Sequence, residues 1–536
     1  MDFMDRRQII RLGSVLAVPA WLPRWAWSQV HWRSDPFTLG VASGSPASDS
    51  VVIWARLESP ELLGTSGSSH AMKPGVTVQW EVAHDAQFKQ IVQRGQTQAV
   101  PELGFSVHVE VMALQPERWY FYRFTSGSAR SRVGRTRTLP TPDAKVNRLR
   151  LGYASCQRWE HGFYSAWRHM RDEHLDLVMF LGDYIYEYPG ALNPVRSVTG
   201  GWVNSLADYR QRHALYKTDP DLQAMHANCP WAITWDDHEV QNDYAGLQEG
   251  NGGPDWLNWN ALIFSERRAA AYQAFYENMP LRSSVLTRVL QGLAQAPELR
   301  IYNRFQYGQL ATLNLLDARQ YRSPQACTRN ANPGASTVDP LRCDSWQDPS
   351  RTLLGDAQER WLTQSLQQSN AIWNVIAQQT LFGQRDLKTG SGQLLWNDSW
   401  DGYPAARRRL TDSLHKSAVP NPVIFGGDAH ENWVGYVKAD YERVASQRLG
   451  VEFCGTSISS RSGGNARTAE RLAENPHFVF ADAQRHGYGV AEFTTQAMTT
   501  SLRVVTDVTD QNSGIETLAR FVVPKVQPGG AVIEKA

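Results

Sequence analysis

Five short strand-like runs in this chain each end abruptly in residues able to hold a proton or a cation, and this pattern constrains its fold more than any other. Leu149–Ala154 is followed by Ser155-Cys156-Gln157, and Leu175–Leu181 by Gly182-Asp183-Tyr184-Ile185-Tyr186-Glu187. Trp231–Trp235 runs into Asp236-Asp237-His238-Glu239, Trp373–Ala377 into Gln378-Gln379, and Val423–Phe425 into Gly426-Gly427-Asp428-Ala429-His430. Apolar runs separated by helical stretches predict buried strands of an α/β layer fold. In open α/β sheets ligands gather at the carboxyl ends of strands, so the five tips are expected to meet. The meeting place would hold a thiol, carboxylates, imidazoles, a phenol and amides. Carboxylates crowded away from water repel one another and take up protons unless cations lie among them. The glycines before Asp183 and Asp428 let the backbone turn tightly beneath each ligand.

Taken singly, each tip is ordinary. Gly-Asp is a common turn, Asp-Asp-His-Glu reads as a capped helix start, and a lone Cys or Tyr is usually core. The coincidence of all five behind strand-like runs is what carries the reading. Helices are expected at Phe163–Glu173, Ser205–Tyr216, Ala261–Asn278 and Gly355–Gln368, with a return to strand after about residue 445. Upstream, residues 35–140 alternate with period two at Val51–Trp54, Val76–Val82, Val107–Val111 and Trp119–Phe124, which predicts a small all-β sandwich. Leu114-Gln115-Pro116 followed by Tyr120 is similar to the tyrosine corner of fibronectin-type sandwiches. Thr138–Lys145 (TLPTPDAK) is a linker by composition. A larger α/β domain is expected over residues 145–520. Residues 521–536 are read as a tail, loose or lightly packed from Pro524 onward.

Lys and Arg number 54 against 53 Asp and Glu, so a net charge of +1 gives no field for steering onto nucleic acid. No apolar run is long enough to span a bilayer. Residues 1–28 read as an address: Arg6-Arg7 precedes Gln8-Ile9-Ile10, then the short apolar stretch Leu12–Ala20, then a small-x-small site at Ala26-Trp27-Ser28. This resembles a bacterial twin-arginine signal, which implies the twin-arginine export machinery as a partner and a periplasmic or secreted destination. Cys327 and Cys343 bracket a polar loop and are expected to pair in such an oxidising compartment. A monomer is expected.

The order of the tips resembles the metallophosphoesterase superfamily, with its series of Asp, GDxxx, GNHE and GHxH. It resembles the PhoD-like alkaline phosphatase and phosphodiesterase family more closely, where the first ligand is Cys, the third motif is DDHE and the last is GDxH. Here those are Cys156, Asp183, Asp237-His238 and Asp428-His430. HALYKTDPDLQ, WDDHEVQNDYAG, LDARQYRS and WDGYPAAR also resemble that family. The resemblance implies a metallophosphoesterase-like α/β layered sandwich, two sheets flanked by helices, preceded by the fibronectin- or Ig-like domain. It implies iron(III) held by Cys156, Tyr186 and His430, with Asp183 bridging to calcium faced by Asp237 and Asp428. Thiolate and phenolate suit a trivalent ion, and carboxylates at the second site favour a hard cation over zinc. Gln379 stands where relatives carry a further histidine ligand, and Asp401 of WDGYP is a further calcium candidate. His238 is expected to bind phosphate or protonate the leaving group, and Arg158 to hold a phosphate oxygen or sit in a surface salt bridge. Asp317 and Arg319 are expected to pair with each other and act structurally. The implied function is an exported phosphoester hydrolase using a metal-activated hydroxide on a small-molecule or lipid-derived phosphoester. Two alternatives stand beside it: a phospholipase-D-type diesterase, and a non-catalytic exported binding protein.

Overall fold

The computed structural model of the chain describes residues 32–63, 75–251, 261–286, 298–329 and 332–536. The address read at residues 1–28 lies outside them. Two sheets dominate. In the larger, the parallel strands Arg148–Ala154, Leu177–Leu181 and Trp231–Thr234 lie side by side. In the smaller, Ala311–Leu315, Trp373–Ala377, Pro422–Gly426 and Arg448–Cys454 are parallel neighbours. Side-chain alternation decides how they stack. Leu177, Met179 and Leu181 face one way, into a core shared with Val375, Val423 and Phe425 of the opposite sheet. Val178 and Phe180 face the other way, onto Trp167, Tyr209, Met225 and Phe275. Ile376 and Ile424 likewise back onto Leu362, Leu366, Leu410 and Leu414 of the helices Gly355–Gln367 and Pro404–Lys416. Strands apolar on both faces read as continuous hydrophobic runs because both faces are covered.

Local chemistry explains the helix starts. Ser205 caps Leu206–Lys217: its hydroxyl accepts from the Asp208 N–H, and the Asp208 carboxylate accepts from the Ser205 N–H at 2.8 Å. Two donors that a helix start leaves orphaned are thereby satisfied. Ala261–Asn278 spans the residues its periodicity predicts. Pro220–His226, Pro404–Lys416 and Thr468–Glu474 are helices the periodicity did not single out. The first two open on proline, and Asp219 caps the first.

The N-terminal β region is no appendage. One of its sheets is built from Val76–Ala83, Ile91–Ala99, Trp119–Ser126, Ala129–Arg130 and Gly134–Arg137. Its other three strands, Val41–Gly44, Val51–Arg56 and Ser106–Val111, continue the large sheet, joined by a parallel pairing of Gly44 with Trp231. Gly44 allows that join: a Cβ there would meet Trp231 O at 2.8 Å and Pro280 Cγ at 2.7 Å. Side chains secure the seam. Trp54 Nε1 donates to Glu277 O at 3.0 Å and Arg56 Nη1 to Asn278 Oδ1 at 3.0 Å. The tyrosine corner forms as expected, with Gln115 N–H donating to the Tyr120 hydroxyl at 2.9 Å.

The tail boundary at residue 521 needs correction. Residues 521–524 close the ten-residue strand Ile515–Pro524, and Glu534–Lys535 pairs back onto it at Phe521 and Val522. Phe521 and Val523 are buried, so alternating apolar side chains draw the end of this strand onto the core; from Pro524 to Ala536 only Ala531 is buried, which matches the light packing expected there. Cys327 and Cys343 form a disulfide with Cα atoms 5.9 Å apart. Among the described residues no helix is long and apolar enough to cross a membrane.

Candidate metal centre

Four of the five tips converge. Cys156, Asp183 and His430 each offer a ligand atom within 4.8 Å of the others; so do Asp183, Asp237 and His238, and so do Asp183, Asp236, Asp237 and Asp428. Asp183 belongs to all three groups. The Tyr186 hydroxyl donates to Asp183 Oδ2 at 2.9 Å, lies 3.3 Å from His430 Nε2, and accepts from Ser460 Oγ at 2.7 Å.

Backbone strain aims these side chains. Cys156, Asp183, Asp428 and His430 all have φ between +55° and +61°, the left-handed region that non-glycine residues rarely enter and that clusters at functional sites. Gly182, at φ +110°, must be glycine, because a Cβ would lie 2.5 Å from Asp236 Cβ. Glu239 ties two tips together. Its carboxylate accepts from the backbone N–H of Asp183 at 3.1 Å, Tyr184 at 2.6 Å and Asp236 at 2.9 Å. Glu187 orients His238, with Oε2 2.8 Å from Nδ1, and its Oε1 accepts from Asn242 N–H at 2.8 Å. The His238 ring also packs against Tyr186, centroids 4.1 Å apart and planes tilted by 31°.

Electrostatics show what the cluster requires. Burial, then neighbouring carboxylates, pushes Asp183 well above the usual carboxylate range; a protonated His238 opposes this. Burial likewise lifts Asp428 to about 6 and Asp236 well up, against the pull of Arg319. Burial and Asp183 raise both the Cys156 thiol and the Tyr186 phenol. Burial works against a charge on His238, but Glu187, Asp183 and Asp237 outweigh it and hold the imidazolium. Asp183 Oδ1, Asp236 Oδ2 and Asp237 Oδ1 are buried and accept no hydrogen bond. Unpartnered buried carboxylate oxygens are costly unless a cation lies against them. With His430 Nδ1 2.8 Å from Arg461 O, its Nε2 is left for a ligand. The donor set therefore fits metal cations.

Three expectations change. Gln379 is outside the cluster: its Oε1 accepts from Ala318 N–H at 3.1 Å, and its Nε2 donates to Thr234 Oγ1 at 2.9 Å and to the carbonyls of Trp235 and Leu316 at 2.8 Å. It stitches the two sheets beneath the site. Asp401 pairs with Arg407 at 2.5 Å and accepts from Arg385 N–H at 2.9 Å, which makes it a structural acid. Arg319 does not pair its guanidinium with Asp317, which meets only its backbone N–H; it reaches Asp236 at 2.5 Å and Asp398 at 2.7 Å. Arg158 stays beside the cluster, its Cζ 4.7 Å from the Tyr188 ring and 5.6 Å from the Tyr186 ring. Its ion pair to Glu160 is long at 3.5 Å, and its Nε is unpartnered. The sequence alone assigned no role to Glu187, Glu239 or Ser460, and gave Arg319 only a structural one. Only the charged residues inside the motifs DYIYE and DDHE gave a signal for the first two.

The sequence profile of the PhoD-like phosphatase family matches residues 151–502, and that of the PhoD-like phosphatase N-terminal domain matches residues 24–140. The chain is 43% identical over 507 residues to alkaline phosphatase D of Bacillus subtilis (strain 168), covering 93% of this chain and 82% of that protein. A solved structure of PhoD superposes with a TM-score of 0.86 at 42% identity, covering 95% of this chain and 93% of the other. A non-catalytic binding protein is thereby set aside. The chain belongs to the PhoD-like phosphatase family and is an enzyme of that kind.

Proposed function

We propose that the chain is an exported, metal-dependent phosphoester hydrolase of broad range, acting on mono- and diesters at alkaline pH. The observation that carries this reading is Asp183, common to three cation-competent groups and buried with an unpartnered oxygen. Cys156, Tyr186, His430 and Asp183 would hold iron(III), and Asp183, Asp237 and Asp428 would face calcium, because anionic sulfur and phenolate suit a trivalent ion and carboxylates a hard divalent one. Such ions, when bound, supply Lewis acidity that acidifies water and offsets phosphoryl charge.

The chain's own residues account for the rest. His238, fixed through Nδ1 by Glu187, keeps Nε2 as a proton donor for the leaving oxygen. Arg158 lies beside Tyr186 with donors to spare and binds a phosphoryl oxygen. Burial of the cluster excludes water and strengthens each of these interactions. The Cys327–Cys343 disulfide supports a periplasmic or secreted location, with the twin-arginine route implied by residues 1–28.

Elemental analysis of protein exported by its own signal is the test. Iron and calcium should appear in one sample, with a visible thiolate- or phenolate-to-iron band. Colourless, iron-free and fully active protein would sink the Cys156 and Tyr186 assignments. EGTA should inhibit and calcium restore; restoration by zinc alone contradicts the carboxylate argument.

A further inference from the structure

The all-carboxylate group contains an internal cation. Arg319 has a fully buried side chain, and its Nε lies 2.5 Å from Asp236 Oδ1 and its Nη2 3.4 Å from Asp237 Oδ1. From behind, Asp398 holds Nη1 at 2.7 Å, and Asp398 is itself fixed by Arg322 at 2.7 Å and by Gln325 Nε2 at 2.7 Å. Asp236 and Asp237 offer ligand atoms in one group with Asp183 and Asp428, all mutually within 4.8 Å. Asp236 is the member that the guanidinium contacts most closely, and its second oxygen is buried and unpartnered. Around the guanidinium itself stand Asp236, Asp237 and Asp398, three carboxylates with no imidazole, a nest suited to a hard divalent ion if that cation is removed. A guanidinium cannot lose its proton in a protein, so Arg319 is a charge that never exchanges.

We infer that Arg319 is a positioning residue that caps a latent divalent-cation site. It holds Asp236 out of the exchangeable metal set and so limits how many divalent ions the centre takes up. The inference rests on the metal-dependent reading above. Its chemistry is a substitution of charge: one fixed monovalent cation stands where a further exchangeable ion would fit. Replacing Arg319 with an apolar residue of similar length leaves Asp236 and Asp398 buried without that countercharge. The nest then recruits an ion to replace it.

Calcium bound per chain, measured by equilibrium dialysis and elemental analysis on the full metal-loaded protein, tests this without reference to activity. Arg319→Met should bind one more calcium than the wild type. Without added calcium its thermal midpoint should fall by roughly 3–5 °C, and millimolar calcium should recover most of that loss. Adding Asp236→Asn to Arg319→Met should return the count to the wild-type number. Arg319→Lys keeps the charge and should keep the wild-type count; if Arg319→Met does not fold, Arg319→Gln, which keeps donors for Asp236 but removes the charge, should bind the extra calcium, and an unchanged count there overturns the inference. An unchanged count in Arg319→Met with a loss of stability that calcium does not recover overturns the inference, and so does an extra calcium in Arg319→Lys. Wild-type protein binding no calcium overturns the metal-dependent reading itself and the inference with it. Wild-type protein with calcium and an unchanged Arg319→Met count overturns the inference alone.

Discussion

Asp183 and Tyr184 are neighbours in the chain and face opposite electrostatic surroundings. Asp183 enters a buried cluster of acids. Tyr184 turns into a buried cluster of bases, with its hydroxyl 2.8 Å from His226 Nε2 and its ring 5.2 Å from Lys217 Nζ and 6.0 Å from the His213 ring. Both clusters leave polar atoms unpartnered: Asp183 Oδ1, Asp236 Oδ2 and Asp237 Oδ1 in one, both ring nitrogens of His213 and Nδ1 of His226 in the other. Burial disfavours charge in both, but the remedies differ. The bases lose theirs: burial holds His213 and His226 well below the ordinary histidine value and Lys217 down to about 7. A neutral imidazole packs like an aromatic ring and needs no ion, as His226 stacked at 4.0 Å on Trp231 shows. Among the acids, Asp183 and Asp428 sit at left-handed backbone positions, Glu239 holds the backbone of Asp183 and Asp236, and the group retains oxygens aimed at one point. Unsatisfied buried polarity thus marks a ligand site only where neutralisation leaves the geometry without a purpose.

The contrast is open to experiment. The largest effect is expected from Asp183→Asn, which removes the group shared by all three clusters. Activity on a phosphomonoester should drop by on the order of 10³-fold or more, with both metals lost in elemental analysis. Retention of either metal at wild-type level would show that the clusters are independent. Tyr186→Phe and Cys156→Ser should each remove iron and the visible band while calcium stays, at a cost of roughly 100-fold in kcat. Glu187→Gln should cost about 10- to 100-fold with metal content unchanged. Glu187 raises the His238 pKa, so its loss should move the alkaline limb of the kcat profile to lower pH; an unmoved limb removes His238 as the acid.

The smallest effect belongs to the basic cluster. His213 is neutral when folded, while the unfolded chain takes up a proton below about 6.5. The folded state keeps its full advantage above that value and loses it as pH falls through it, at up to about 1.4 kcal/mol per pH unit. Urea unfolding of His213→Leu at pH 5, 6 and 7 should show a shallower acid slope than wild type. Equal slopes would mean that His213 finds a proton partner in the fold.

The legible parts were those where chemistry and periodicity coincide. LGDYIYE carries an apolar run, a turn glycine and two donors, so strand, turn and ligand could be read together. The helix Ala261–Asn278 was visible from its period. Pro220–His226 was not, because seven residues are too few to establish one. Gln379 was misjudged because an amide at a strand tip looks the same whether it meets an ion or stitches two sheets; only its four partners distinguish the cases. The tail boundary failed because a strand pairing late with its neighbour has no local signature. Sequence proximity pairs Arg319 with Asp317, two positions away, whereas its guanidinium meets acids 79 or more positions distant.

By itself, the sequence determined the strands, the residue types at their ends and their order, because alternation and turn chemistry are local. It also determined the family to which the order belongs. Tertiary structure decided which of the candidates share a point in space. It set Asp183 at the junction of three groups, turned Tyr184 away into the bases, joined the N-terminal strands to the central sheet, and drove a buried arginine into the acids. Those outcomes depend on contacts between distant residues and on the desolvation that only a completed core imposes.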